Sequence, residues 1–389
     1  KKAYFGFLEN LTVGILPKHI WEGVTPDKFL LSDYNLSPVG SGPYRYYDLE
    51  KDSSGNILSI ELRAFKDYFD GAPYIPKFIF SFYPDQETLL AAYSKKEVLG
   101  IHSITPSEQD QVKELKSTSI YRIAIPRVFS VFINTTKSKP LAYDEVREAL
   151  SYATDRDTIV KEVLKGEGVP AQSAFLPFME GFASDIATPG FDLARANEIL
   201  DKAGWKRGDD GIRSKEDTPL EIELAIPAWP EIQQTAELLK NQWAVIGIRV
   251  NIAEFSPADL QKNSVRNREY QAMVFGQAAQ LASDPYSFWH SSQKADPGLN
   301  LGLFDNKEAD GILESIREEM DPETRRMEYN SFQKILASEH PSIFLYSPNY
   351  LYVASSTVKG IGVSRMNSPS YRLSNANRWY IDTKRIFKK

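Results

Sequence analysis

Apolar residues recur with two different periods along the chain, and the shorter period comes first. Leu58, Ile60 and Leu62 alternate with polar residues, which is the pattern of a half-buried strand. The turn residues DSSGN (52–56) separate this run from YRYYDLEK (44–51), so residues 44–64 predict a β-hairpin. Further apolar runs at 77–83, 120–125 and 128–134 predict three more strands, and Asp85 is a suitable cap for a helix that follows it.

Helical spacing dominates from residue 140 onwards. Apolar side chains three and four positions apart predict helices over the segments that follow. These segments are 140–155, 156–168, 191–205, 231–247, 307–320 and 322–340. Strands are predicted at 219–226, 248–255, 270–276 and 341–354. The order strand, helix, strand over 219–255 predicts a βαβ unit with parallel strands and a right-handed crossover. Hairpins together with this unit indicate an α/β protein with mixed sheets.

The segment SPVGSGPYRYYDLE (37–50) has the first two glycines of a phosphate-binding loop, Gly40 and Gly42. Such a loop needs a third glycine and a helix after it, whereas Arg45 occupies the third position and a strand is predicted to follow. Pro43 also lacks one of the N–H donors. The segment is therefore predicted to be a turn into a strand, with glycine angles that a side chain would disfavour.

Composition and charge limit the architectures and partners that this chain can have. A chain of 389 residues is too long for one core, so two or more lobes are expected. The net charge is −6, and Lys and Arg are dispersed among Asp and Glu, which argues against a nucleic-acid partner. The absence of cysteine excludes disulfides and thiolate nucleophiles. No signal peptide is predicted from the opening KKAYFGFLEN.

The chain offers no recognisable catalytic or metal-binding motif. Its four histidines lie far apart in the sequence, at positions 19, 102, 290 and 340. None has the spacing of a metal site, and none lies near a serine in a nucleophile elbow. Asp209, Asp210 and Gly211 fit a hairpin turn better than a calcium loop. The prediction is a protein without cofactor or metal that is not an enzyme, although a pair of carboxylates for glycosidic chemistry stays open.

Aromatic residues make up 12% of the chain, and several occupy predicted loops rather than periodic faces. Examples are Phe178, Trp229, Phe288 and Trp289. Loop aromatics at the carboxyl ends of α/β strands are suitable walls for a ligand pocket. The alternative is that they fill the cores of the lobes.

The order of several segments resembles the family 5 extracellular solute-binding proteins, the peptide and nickel type of binding protein for ABC importers. The matching segments include PVGSGPYRYY (38–47), VREALSYATDRDTIV (146–160), FDLARANEILDKAGW (191–205) and DPYSFWHSS (284–292). ILPKHIW (15–21) also matches, but similar segments lie further along in family members. The resemblance therefore implies that an N-terminal portion, including the first strands of lobe I, is absent from this chain.

The resemblance implies a bilobal periplasmic-binding-protein-like fold with mixed sheets. Residues 1–127 and 346–389 would form lobe I, residues 128–345 lobe II, and hinge strands near 127–134 and 344–348 would join them. The implied function is a receptor that captures a ligand, expected to be an oligopeptide, between its lobes and delivers it to a membrane ABC permease. A monomer is expected, in the periplasm or anchored to the outer face of the cell membrane. Alternatives are a sensing module of a cytoplasmic transcription regulator, or a binding protein for a sugar or metal complex.

The family ligand position implies a set of pocket-lining residues. They are Phe129, Ser130, Trp229, Gln277, Gln280, Asp284 and Trp289. Peptide-binding members similar to this chain carry an aspartate for the peptide ammonium where Leu281 stands here, and Asp284 is the nearby acid. Because a buried cation without a counter-charge is costly, either Asp284 or another acid substitutes, or the ligand is not a peptide with a free amino group.

Overall fold

The chain divides into two compact units. In the computed structural model, which describes residues 11, 14–35, 37–184, 186, 190–279 and 284–382, the central unit contains Ile125–Asn349. The terminal unit contains Thr12–Ala124 and Tyr350–Lys389. The predicted lobe boundaries, after residues 127 and 345, lie a few residues from these divisions. That the two units move as hinged lobes stays a prediction.

The terminal unit contains short strands and three short helices among its described residues. The strands are β1 (Tyr44–Lys51), β2 (Ile57–Ala64), β3 (Lys77–Ser81), β4 (Gly100–Ile104), β5 (Thr118–Ala124), the second half of β14 (Ser342–Ser355), β15 (Val358–Lys359) and β16 (Tyr380–Ile381). The helices are α1 (Lys18–Trp21), α2 (Gln86–Ser94) and α3 (Gln109–Lys113). Strands β1, β2 and β3 form an antiparallel sheet, and β4 pairs antiparallel with the second half of β14. A small core around Ile101, Val112 and Val353 holds this unit together.

The central unit contains a larger sheet and most of the helices. Its strands are β6 (Arg127–Ile133), β7 (Gly168–Pro170), β8 (Lys206–Arg207), β9 (Arg213–Lys215), β10 (Thr218–Pro219), β11 (Glu221–Pro227), β12 (Arg249–Phe255), β13 (Ala272–Ala278) and the first half of β14. Its helices are α4 (Asp144–Tyr152), α5 (Arg156–Glu162), α6 (Leu193–Lys202), α7 (Pro230–Val245), α8 (Pro257–Asp259), α9 (Tyr286–Trp289), α10 (Lys307–Glu318) and α11 (Pro322–Glu339). A π-helical turn, Leu260–Val265, continues α8.

The sheet of the central unit has the order β12, β11, β13, β6, β14, and β7 pairs with β14. Strands β11, β12 and β13 are parallel, whereas β6 is antiparallel to β13 and β14 is antiparallel to β6. Helix α7 connects β11 to β12. The predicted parallel βαβ unit is thus confirmed.

Each face of this sheet is covered by its own core, because alternate residues of a strand point to opposite faces. On β6, Val131 and Ile133 pack into a core with residues of α4, α5, α6 and α7. Val128 and Phe132 pack on the other face with residues of α10 and α11. We call the two sides the α7 face and the α11 face.

The elements predicted from hydrophobic spacing are present, and the predicted α/β class with mixed sheets is confirmed. Asp85 caps α2 by accepting a hydrogen bond from the Thr88 N–H at 2.8 Å. The prediction for Gly40 and Gly42 is wrong in one respect. Neither has positive φ, and an added Cβ would meet no atom within 4 Å, so the turn before β1 does not need glycine at these two positions.

Candidate functional site

The strand directions of the central unit place the ends of several strands at one edge of its sheet. The parallel strands β11, β12 and β13 end there, β14 passes there, and β6 and β7 begin there. Backbone hydrogen bonds tie these ends together, from Ala228 N–H to Phe255 O at 2.8 Å and from Ala279 N–H to Pro126 O at 2.8 Å. We call this the carboxyl edge. Sheets of this class bind ligands at such an edge.

Phe129 lies at the carboxyl edge on the α7 face. It pairs with Gly276 on β13 and with Tyr346 on β14. The Phe129 and Tyr346 rings stack with centroids 5.2 Å apart, and a Cβ at Gly276 would lie 3.0 Å from the Phe129 ring. The Tyr346 hydroxyl is 3.2 Å from the Thr235 hydroxyl, and burial raises the pKa of Tyr346. The glycine therefore makes room for the half-buried Phe129 ring, which stacks on the buried ring of Tyr346.

Ser130 and Gln277 lie on the α11 face. Ser130 is paired with Phe275 and Phe344 and is fully buried. Its hydroxyl has no hydrogen-bond partner among the described residues. Gln277 pairs with Val128 and is 8% exposed. The structure thus brings Ser130 and Gln277 to one side of the sheet and Phe129 to the other.

Trp229 is the most open aromatic residue of the predicted set. It lies two residues after the end of β11 and caps α7, where its carbonyl accepts hydrogen bonds from the Ile232 and Gln233 N–H groups. Its side chain is 39% exposed. Pro230 begins the helix, as favoured at a first helical position. The edge therefore holds the backbone of Trp229 in place and leaves its ring accessible.

Trp289 has a different environment. It is 0% exposed in the core of the α11 face, with its ring 6.4 Å from Phe304 and 5.9 Å from Phe344. This placement favours a packing role. A role of Trp289 in lining a pocket stays a prediction, and Gln280 lies outside the described residues.

Asp284 already has a cationic partner. Its carboxylate lies 3.1 Å from the Arg317 guanidinium and accepts a hydrogen bond from the Tyr286 N–H at 3.1 Å. The guanidinium also lies over the Tyr286 ring at 4.5 Å, and that ring stacks on His290 at 4.1 Å. This arrangement anchors the loop after β13 to α10. The charge of Asp284 is therefore offset within the protein.

Arg127 is a residue that the sequence analysis does not assign to the site. It begins β6 at the carboxyl edge, and its side chain is exposed. The described residues give this guanidinium no hydrogen bond and no ion pair. A guanidinium with open donors is suited to a carboxylate. Its position at the start of the strand that carries Phe129 and Ser130 is the one signal in the sequence that points to it.

Each unit has a cavity of its own. A cavity of about 360 Å³ in the central unit lies between the loop 170–186 and α11. A cavity of about 660 Å³ in the terminal unit lies beside β3, with Phe78, Phe80 and Trp379 in its wall. None of the predicted site residues that the structure describes lines either cavity. Within the described ranges, no cluster of three or more His, Asp or Glu side chains is arranged to hold a metal ion.

Comparison with known proteins decides the family. Residues 4–298 match the family described as bacterial extracellular solute-binding proteins, family 5, middle region. The chain belongs to this family. The resemblance inferred from the ordered segments is thereby confirmed. No helix in the described part of this family member is long and apolar enough to cross a membrane.

Relatives within the family are longer than this chain. The oligopeptide-binding protein AppA of Bacillus subtilis is 28% identical over 378 residues, which cover 95% of this chain and 67% of AppA. A dipeptide-binding protein of Escherichia coli is 26% identical over 344 residues, which cover 86% of this chain and 60% of that protein. The structure of Bacillus subtilis AppA in complex with a nonapeptide superposes with a TM-score of 0.75 at 25% identity, covering 98% of this chain and 75% of the other. The periplasmic-binding-protein fold expected for the family is confirmed.

Proposed function

We propose that this protein is an extracytoplasmic receptor that binds an oligopeptide and delivers it to an ABC importer in the membrane. The observation that carries the proposal is membership of the solute-binding family, with peptide-binding proteins among the relatives. The carboxyl edge of the central unit supports it. This edge combines the exposed Trp229, the half-buried Phe129 ring stacked on Tyr346, and the exposed guanidinium of Arg127.

The aromatic residues at the edge suit a peptide because flat rings bury much area at little cost in side-chain entropy. Trp229 and Phe129 contribute these surfaces, and Gln277 adds an amide that can hydrogen-bond a peptide main chain. Ser130 is retained in the proposal because its buried hydroxyl has no hydrogen-bond partner in the described part of the chain, and such a group costs free energy until it is satisfied.

The charged end that the edge recognises is the peptide carboxylate. Arg127 is exposed with open donors, whereas the Asp284 carboxylate is occupied by Arg317 at 3.1 Å. A second cation beside Asp284 would compete with this ion pair. The proposed ligand is therefore held mainly through its C-terminus, and its ammonium group contributes little at this loop.

Isothermal titration calorimetry with the purified protein tests both parts of the proposal. A tetrapeptide is compared with its N-acetylated and C-amidated forms, and a nickel–histidine complex and a trisaccharide serve as other ligand classes. We expect the free and acetylated peptides to bind alike and the amidated peptide to bind about tenfold more weakly, the loss of one charge-assisted hydrogen bond.

The variant Arg127→Gln should abolish the difference between the free and amidated peptides. Lys262→Gln is the matched control, because it removes an exposed cation from the π-helical turn and should keep the difference. Binding of only the nickel complex or only the trisaccharide would overturn the peptide assignment. Stronger loss on acetylation than on amidation would overturn the role of Arg127 and leave the receptor proposal standing.

A further inference from the structure

Strand β3, helix α2 and strand β4 follow one another along the chain of the terminal unit. This order commonly gives two parallel strands of one sheet, with the helix as the crossover between them. In the described part of the chain, however, β3 pairs with β2 and β4 pairs with β14. The connection therefore has the form of a crossover whose two strands do not meet.

The cavity of the terminal unit, about 660 Å³, is lined by both of these strands. Phe78 and Phe80 come from β3, and Gly100 and His102 come from β4. We call this cavity the strand gap. In doubly wound sheets a crossover passes over a strand that lies between the two it connects, as in the strand order 2-1-3. The strand gap has the position of such an intervening strand.

The edge of β3 that points away from β2 has open main-chain groups. The Phe82 N–H donates to Leu58 O at 2.9 Å, and the Ala64 N–H donates to Pro76 O at 3.0 Å. Because hydrogen-bonded pairs alternate along an antiparallel ladder, the N–H and C=O groups of residues 77, 79 and 81 point away from β2. These groups have no backbone partner within the described ranges. An edge of this kind can accept another strand.

The side chains around the strand gap are apolar and poorly covered. No residue of β2 or β3 is buried, whereas most of β6 in the central unit is. Ile79, Phe82 and Leu99 line the gap and are 46%, 52% and 43% exposed. Exposed apolar side chains beside an open strand edge mark a site for another polypeptide.

The charged side chains of the wall do not indicate a small charged ligand. Lys77 pairs with Glu61 at 3.0 Å, and Asp85 caps α2. The Arg372 guanidinium donates to a backbone carbonyl at 2.6 Å, and Glu97 is exposed. The strand gap thus combines apolar side chains with open main-chain donors and acceptors, which suits an extended apolar strand.

We propose that the strand gap is the acceptor site for one extended apolar strand, which pairs with both β3 and β4 and joins their sheets. We assign this strand to polypeptide of the same protein outside these 389 residues. The assignment rests on the length of the relatives, because the match covers 67% of AppA and 60% of the dipeptide-binding protein. It does not depend on which ligand the protein binds.

Hydrogen–deuterium exchange of the 389-residue chain, followed by mass spectrometry, tests the proposal. One probe is the part of Bacillus subtilis AppA outside the match, produced as a separate chain. The other is a twelve-residue peptide of alternating valine and threonine with blocked ends. We expect both to slow exchange at residues 77–81 and 100–104 at least tenfold and to leave residues 206–219 unchanged. The same peptide with proline in place of threonine lacks half of the N–H donors and should protect neither strand.

Ile79→Pro removes the N–H donor at the centre of the open edge and leaves the hydrogen bonds to β2 in place. It should abolish the protection, whereas the matched control Ile79→Ala keeps the N–H and should retain it. Equal urea midpoints for the two variants exclude misfolding as the cause.

Three outcomes would contradict the proposal. If neither probe protects β3 and β4, the acceptor site is refuted. If only the valine–threonine peptide protects them, the site stands and the assignment of its strand to the same protein is overturned. If the chain alone forms a dimer in size-exclusion chromatography that Ile79→Pro abolishes, the occupant is a second copy and that assignment is again overturned.

Discussion

Gln333→Met should destabilise the central unit by breaking the attachment of the loop 170–186 to α11. The side chain of Gln333 is 2% exposed. Its amide donates to Gly181 O and Tyr329 O at 2.7 and 3.1 Å and accepts from the Ser173 hydroxyl at 3.1 Å. Methionine has a similar length, so the change removes hydrogen bonds while leaving little cavity.

The magnitude follows from what each partner loses. Tyr329 O lies within α11, so the loss of its hydrogen bond from the Gln333 amide matters least. The Ser173 hydroxyl loses its acceptor but still accepts a hydrogen bond from the Phe175 N–H at 3.2 Å. Gly181 O loses the short hydrogen bond from the Gln333 amide. Two lost hydrogen bonds and one poorly satisfied carbonyl amount to about 2–3 kcal/mol in the free energy of unfolding. For a unit of this size that corresponds to a fall in Tm of roughly 4–12 °C.

Urea unfolding followed by tryptophan fluorescence measures the loss. The matched control is Gln234→Met, the same substitution at an exposed position of α7, which should leave the midpoint nearly unchanged. An unchanged midpoint and slope for Gln333→Met would show that the loop is held by its apolar contacts alone. In that case the hydrogen bonds of Gln333 would not be what attaches this loop to α11.

Three further predictions concern single side chains. Burial lowers the pKa of His340 to about 4, so the unfolded chain binds the proton more readily and stability falls as the pH drops from about 6.5 towards 4. His340→Asn, which tolerates the left-handed backbone at φ 49°, should remove about 2 kcal/mol of the difference between unfolding free energies at pH 7 and pH 5; identical pH profiles would refute this. Gly181→Ala should lower the free energy of unfolding in urea by about 2 kcal/mol or more, because φ at Gly181 is +82° and a Cβ would lie 2.5 Å from the Tyr329 ring of α11. The control is Gly311→Ala, which lies in open space on α10 and should raise the free energy of unfolding by about 0.5–1 kcal/mol. Trp289→Ala should lower the free energy of unfolding by about 3–5 kcal/mol. Trp229→Ala should leave the free energy of unfolding unchanged and weaken peptide binding about tenfold in calorimetry. A loss of stability for Trp229→Ala and a loss of binding alone for Trp289→Ala would exchange their assigned roles.

The sequence predicts the elements of the fold well because each element has one face with its own period. Leu58, Ile60 and Leu62 alternate with polar residues on β2, so the spacing alone indicates a strand. Strand β6 is apolar on both faces, and its short continuous apolar run indicates a strand instead. The links between distant elements have no such signal. Gln333 and Gly181 are 152 residues apart, and nothing in either segment indicates that they meet. The cavity between this loop and α11 therefore could not be predicted, since it exists only where these segments are brought together.

The same limit explains why the predicted site divides into different environments. Trp229 and Trp289 both stand in segments without a periodic face, and the sequence gives no reason to separate them, yet one is 39% exposed and the other 0%. The difference arises because the chain after Asp284 is drawn onto α10 by Arg317, which turns Trp289 into the core. The Asp284 carboxylate that could have served a peptide ammonium is used in this anchoring. The loop after β13 thus uses this carboxylate to hold its own position, and under the proposed function the recognition of charge passes to Arg127, which begins β6 at the same edge of the sheet.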